Sequence, residues 1–157
     1  MPEIRSIVYT PTYITEKSQD RYDRLPLSQA KLVAGYGIEG DRKGGHPKRH
    51  LNIMCAETLG SLGAEGFSVA PGEMGEQLIL SGIDLIDLPP GARVRLGDAA
   101  EIEVVEPRNG CDKFERVQGK APTQAKRRLG VMARVLASGV IAVGDPVVVM
   151  REQATEA

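Results

Sequence analysis

The chain has 157 residues, 41% of them hydrophobic and 26% charged, with a formal net charge of −1 at neutral pH. That length suits one domain, and such a domain buries roughly 70% of the surface its unfolded chain exposes, so a core forms without disulfide or metal staples. The balanced charge and the absence of Trp exclude a general nucleic-acid surface or a base-stacking platform, two cysteines make neither a disulfide framework nor a four-ligand zinc site, and no stretch approaches the ~18–20 apolar residues of a membrane span.

The segment MPEIRSIVYT meets Pro11 before any long apolar run, which does not suit a signal peptide. The expectation is a cytoplasmic protein with reduced thiols and no nucleic-acid or membrane partner. Residues 4–9, IRSIVY, predict a short strand, and TPTYITEKSQDRYDRLP a polar surface loop. KLVAGYGIEGDR carries glycines at 35, 37 and 40, a tight segment limited by its backbone. KGGHPKRH predicts a loop, HLNIM a buried strand, and AETLGSLGAEG a short helix with Leu59 and Leu62 at helical spacing. EQLILSG predicts another strand. In GARVRLGDAAEIEVVEP, ARVRL and AEIEVV both alternate and GD marks the turn, so this is a hairpin whose second strand ends at Pro107.

Residues 123–137, TQAKRRLGVMARVLA, predict one helix with Leu129, Met132, Val135 and Leu136 as its apolar stripe, KRR at 126–128 on its polar face and Gly139 as its stop. VIAVGDPVVVM supplies the last strand or two, and REQATEA a frayed tail. The expected fold class is mainly β with a few helices (α+β): a barrel-like mixed β-sheet core with helices outside, one domain over 1–157 with its core at about 4–149.

Three places can carry chemistry. Cys111 lies in EPRNGCDKFE, with Arg108 before it and Lys113 after it. Nearby cations stabilise a thiolate, which serves as a nucleophile or soft-metal ligand; the alternative is a small hydrophobe beside a turn. Cys55, between apolar residues and a helix start, reads as a buried, inert thiol. In GDRKGGHPKRH, Arg42, Lys43, Lys48 and Arg49 place four cations within eight positions, with glycines that let backbone N–H groups approach an anion. His46 and His50 stand at i, i+4, but two glycines and Pro47 forbid the helix that would bring them onto one metal. A solvated basic loop is the plain alternative to an anion cradle.

Taken in order, GIEGDR, KRHLNIMCAETL, PGEMGEQLILSGIDL, LGDAAEIEVVEPRNGCDKFE and ARVLASGVIAVGDPV resemble the MOSC domain, named for the C-terminal domain of molybdenum cofactor sulfurase, in its stand-alone bacterial form. The resemblance implies a MOSC-type β-barrel and a site for the molybdenum cofactor (molybdopterin), or for sulfur carried towards one. It implies that Cys111 is the functional thiol, either ligating molybdenum or holding a persulfide. KRHLNI matches the stretch that lies against the pterin, which makes Arg49 and His50 candidates. Gln77 stands where the family often has asparagine, and Arg108 is a candidate for the phosphate. With Arg42 and Lys48 from the basic loop, these complete the expected cofactor-binding set. Gly110 stands where many stand-alone members carry proline.

Three functions follow as expectations. The first is an oxidoreductase in which Cys111 ligates molybdenum and N-oxygenated substrates are reduced; with no flavin or iron–sulfur motif in the chain, it needs a separate electron donor. The second is a sulfur carrier charged at Cys111 by a cysteine desulfurase. The third is a non-catalytic barrel that binds a phosphorylated metabolite. At family level the resemblance also brings an association with pyridoxal phosphate binding.

Overall fold

A computed structural model of the chain describes residues 1–150 except 17, 19, 20, 48 and 111. Two of the expected site residues, Lys48 and Cys111, therefore lie outside the described residues. In chain order come β1 (Glu3–Tyr9), β2 (Leu25–Leu27), β3 (Gln29–Val33), β4 (Gly37–Ile38), β5 (Leu51–Cys55), α1 (Ala56–Ala64) and β6 (Leu78–Ser81). These are followed by β7 (Arg93–Leu96), β8 (Ala100–Pro107), α2 (Asp112–Gln118), β9 (Val131–Ala137), β10 (Gly139–Ala142) and β11 (Val147–Val149).

Eight strands make one mixed sheet in the order β11-β7-β8-β9-β5-β6-β1-β2, and β10-β3-β4 make a second, smaller sheet. The large sheet is not hydrogen-bonded into a closed ring, but it curls until Glu3 at the start of β1 bridges Pro146, just before β11. "Barrel-like" thus describes its curvature rather than a continuous ladder. Within the large sheet, β5 and β6 are parallel and every other strand pair is antiparallel. A parallel neighbour needs a crossover, and α1 lies within this one.

Strand parity sorts the side chains into two cores. Leu51, Ile53 and Cys55 of β5 join Leu78 and Leu80 of β6, Ile102 and Val104 of β8, and Val131, Ala133 and Val135 of β9 in the main core. The opposite face of β5 and β6 gives Met54 and Ile79 to a second core with Leu59 and Leu62 of α1, Phe67, Met74, Phe114 of α2 and Leu129. Phe67 and Phe114 pack with ring centroids 6.3 Å apart. Strand β5 is buried along its whole length because both of its faces are covered. Among the described residues no helix is long and apolar enough to cross a membrane.

The predicted hairpin, the strands at IRSIVY, HLNIM and EQLILSG, and the helix after Cys55 are all present. The predicted helix over 123–137 is not. Residues 122–125 make a single 3-10 turn, and VMARVLA is β9, buried at Val131, Ala133 and Val135 with period two. The segment satisfies both periodicities on paper. Its strand form is decided by neighbours, because it pairs with β8 on one side and β5 on the other. KRR lies in the turn before β9 rather than on a helix face, with Arg127 at φ 65°. The second helix is instead α2, directly after Cys111 in sequence.

Gly130, at φ +78°, starts β9 so close to β5 that a Cβ there would overlap the Ile53 carbonyl oxygen. Its own carbonyl accepts from the Arg108 amide at 2.9 Å. Gly130→Ala is expected to lose about 2–4 kcal/mol, from backbone overlap added to left-handed strain. Gly91→Ala, also at positive φ but facing open space, should lose only ~1 kcal/mol. Urea unfolding of the two variants checks the contrast.

Candidate functional site

The same parity that builds the second core builds a cleft beside it. Asn52 of β5 shares a strand face with Met54, and Met132 of β9 stands opposite it in the ladder. Gln77, directly before β6, donates its amide N–H to the Asn52 carbonyl at 2.9 Å. Asn52, Met132 and Gln77 form the floor of a cleft of about 220 Å³ whose other lining residues are Tyr22, Arg24, Lys43, Arg49, Gly75, Arg108, Asn109 and Lys113. Among the described residues, five of those lining the cleft are cationic and none is a carboxylate.

Two buried carboxylates lie behind this lining. Glu76 is 1% exposed. It accepts from the Gly72 amide at 2.6 Å and the Met74 amide at 3.2 Å, which holds the 72–75 turn in shape. The carbonyls of that turn then receive the arginines: Arg108 Nη1 donates to Met74 O at 2.7 Å, and Arg24 Nη2 to Gly75 O at 3.0 Å. Gly75 adopts φ +83°, and a Cβ on it would come within 2.6 Å of Arg108 Nη2 and 2.7 Å of the Tyr22 ring, so only glycine lets both side chains close over the turn. The second carboxylate, Asp41, accepts from the Thr10 and Lys43 amides at 3.1 and 3.2 Å and from Gln77 Nε2 at 3.3 Å.

The electrostatics follow from this layering. Burial pushes the Arg24 pKa down, while the charges of Asp41 and Glu76 pull it back up. Burial pushes the Glu76 carboxyl up, against the Gly72 and Met74 amides and the charge of Arg108. Tyr22 lies between two cations, with Arg24 Cζ 5.5 Å and Lys113 Nζ 5.1 Å from its ring centroid. At this site Arg24 Nε, a donor, and Asn52 Oδ1, an acceptor, are buried with no hydrogen-bond partner among the described residues. Buried polar atoms of this kind call for a partner, either a water or a bound group.

Of the expected site residues, Arg49, Gln77 and Arg108 line the cleft together. Arg42 does not; its guanidinium donates to the Ile14 carbonyl and ties down the loop after β1. His50 does not line it either. It is buried, and its Nδ1 accepts from the Val135 amide at 2.9 Å, continuing the β5–β9 pairing with a side chain. Cys111 is bracketed in sequence by Asn109 and Lys113, both cleft residues. Cys55 is the inert thiol the sequence suggested: its S–H donates to Ile83 O at 2.9 Å, and burial pushes its pKa up.

Sequence reasoning missed Tyr22, Arg24 and Asn52. The first two sit in a stretch that looks like an ordinary polar loop, and Asn52 was hidden inside an apolar strand. An amide within LNIMC was the one available signal, because a buried asparagine must find partners. Among the described residues no cluster of three His, Cys, Asp or Glu side chains could hold a metal ion.

A family model described as MOSC domain matches residues 40–148. YiiM from Geobacillus stearothermophilus is 22% identical with a TM-score of 0.74, covering 96% of this chain and 76% of that one. The YuaD protein from Bacillus subtilis is 20% identical with a TM-score of 0.75, covering 98% of each chain. YiiM from Escherichia coli is 22% identical with a TM-score of 0.70, covering 96% of this chain and 70% of that one. At these identities the likeness establishes the fold. No curated protein matches the chain in sequence.

The His50 contact carries a pH dependence. Burial, helped by the charges of Arg134 and His46, lowers the His50 pKa from its ordinary 6.5, so the unfolded chain binds the proton more tightly than the folded one. The stability tied to the neutral ring is whole above pH 6.5 and is lost as pH falls through the lower folded value. Wild type should therefore lose urea resistance between pH 7.5 and 5.5, about the range in which free histidine takes up its proton. His50→Asn, which offers an uncharged acceptor, should flatten that dependence.

Proposed function

Because this chain belongs to the MOSC domain family, which is associated with binding of the molybdenum cofactor, we propose that its cationic cleft holds that cofactor, with Cys111 as the thiolate ligand to molybdenum. The observation that carries this reading is the lining itself: Arg24, Lys43, Arg49, Arg108 and Lys113 converge on one cleft of about 220 Å³, and no carboxylate is among its described lining residues. Such a surface suits a group with at least two negative charges, as a phosphate monoester has.

The residues fit the group in three respects. The guanidiniums of Arg24 and Arg108 are steered by backbone carbonyls and backed by buried carboxylates, so they are held in place before any ligand arrives. Arg24 Nε offers a donor and Asn52 Oδ1 an acceptor, which match an oxyanion and a ring N–H respectively. The molybdenum of that cofactor comes with its pterin, so the chain would need to add little more than a thiolate, for which Cys111 stands between Arg108 and Lys113 in sequence.

When bound, the cofactor supplies two-electron redox chemistry at molybdenum. The work of the chain is to bind and orient. Arg24, Arg108, Lys43, Arg49 and Lys113 would neutralise its phosphate, and Asn52, held from behind by Gln77, would read the edge of its ring system. The cations near Cys111 in sequence, Arg108 and Lys113, favour its thiolate. We assign the redox chemistry to reduction of N-oxygenated substrates, with electrons delivered by a separate donor.

Protein produced in a molybdenum-competent host is expected to contain near-stoichiometric molybdenum by elemental analysis. Cys111→Ala should lose it, and Arg24→Gln with Arg108→Gln should retain less than about a tenth as much, the scale set by removing two charge-assisted bonds. Equal emptiness of wild type and variants would overturn the reading. If Cys111 in such empty protein gains about 32 Da, one sulfur atom, from a cysteine desulfurase, the site is a persulfide carrier instead.

A further inference from the structure

Asp41 touches no solvent, yet three cleft elements depend on it. One of its oxygens accepts from the backbone amides of Thr10 and Lys43, and the other accepts from Gln77 Nε2. An ionised carboxylate only accepts, so the Gln77 amide can meet it only with its NH₂ group. The Gln77 carbonyl oxygen is thereby turned to the Asn52 backbone N–H, which donates to it at 2.8 Å. Asn52 Nδ2 is directed to Gly75 O at 3.5 Å, which leaves Asn52 Oδ1 as the unpartnered acceptor on the cleft floor.

We propose that Asp41 is a positioning residue that sets the donor–acceptor polarity of the Gln77 amide and thereby anchors the β5 backbone at Asn52, from which the cleft floor presents its side chain to the ligand. This rests on the anion-binding role proposed above and adds to it a residue behind the lining that orders the cleft floor without touching the ligand.

The constraint is testable because it cannot be absorbed locally. In Asp41→Asn, the remaining oxygen is claimed by the Thr10 and Lys43 amides, so an NH₂ group faces the NH₂ group of Gln77. Turning the Gln77 amide over only moves the conflict, because its NH₂ would then face the Asn52 N–H. Gln77→Glu alone sets two carboxylates face to face. The pair Asp41→Asn with Gln77→Glu restores complementarity with unchanged net charge, since a carboxylate at 77 accepts from both sides.

The experiment is a double-mutant cycle on the whole chain, read by fluorescence anisotropy with a pterin carrying a phosphate monoester and with inorganic phosphate as competitor. Each single variant is expected to bind the pterin phosphate about tenfold or more weakly, the scale of one buried mismatched polar contact. The double variant should return to within about threefold of wild type. Wild-type affinity in Asp41→Asn, or a folded double variant no better than the singles, would overturn the proposal. Should Asp41→Asn fail to fold, the comparison of Gln77→Glu with the double variant decides the same point. If wild type itself ignores the probe, the ligand reading fails separately, and the Asn52 backbone amide resonance still decides the role of Asp41. That resonance should be displaced in Asp41→Asn and restored in the double variant; if it does not return, Asp41 does not set the polarity.

Discussion

Buried negative charge is the constraint on which this cleft depends. Placing five cationic residues around one small space is unfavourable unless something holds them against mutual repulsion. Asp41 and Glu76 do so from behind the lining. Each is itself buried at the cost of losing water, and each is compensated by backbone N–H groups, those of Thr10 and Lys43 for one and of Gly72 and Met74 for the other. The carboxylates thus face the backbone, while the cations line the cleft.

The 72–75 turn transmits this arrangement. Glu76 shapes it through two amides, and its carbonyls then fix two guanidiniums that come from distant parts of the chain, Arg24 before β2 and Arg108 after β8. A site assembled from backbone carbonyls inherits the rigidity of the backbone, so its geometry does not wait for the ligand. The floor obeys another rule. In β5 every second residue faces the main core, and the alternate face becomes apolar at Met54 under the helices and polar at Asn52 in the cleft. One strand therefore serves two cores and a binding surface.

Much of the fold was legible in the chain. The GARVRLGDAAEIEVVEP hairpin alternates too cleanly to be anything else, and it is β7 and β8. The glycine-marked turns and the helix after Cys55 were equally readable. The segment 123–137 was not, because VMARVLA fits both a helical stripe and a strand, and only its pairing with β5 and β8 selects between them. Of the candidate site residues, Arg49, Gln77 and Arg108 line the cleft. His50 looked similar in sequence but spends its ring on the Val135 amide, and Arg42 spends its guanidinium on the loop after β1.

The sequence by itself determined the family, the strand-rich class and the presence of a basic, glycine-bearing loop at 42–49. These are properties of local pattern and motif order, which survive in one dimension. Only the tertiary structure decided which cations share a cleft, because Arg24, Arg49 and Arg108 converge through strand pairing and through the turn held by Glu76. It also decided the role of Asp41. An acidic residue after two glycines in GIEGDR carries no visible partner in sequence, and the chain must fold to bring Thr10, Lys43 and Gln77 onto one carboxylate. Burial of that carboxylate, which demands N–H donors around it, then dictates which way the Gln77 amide points.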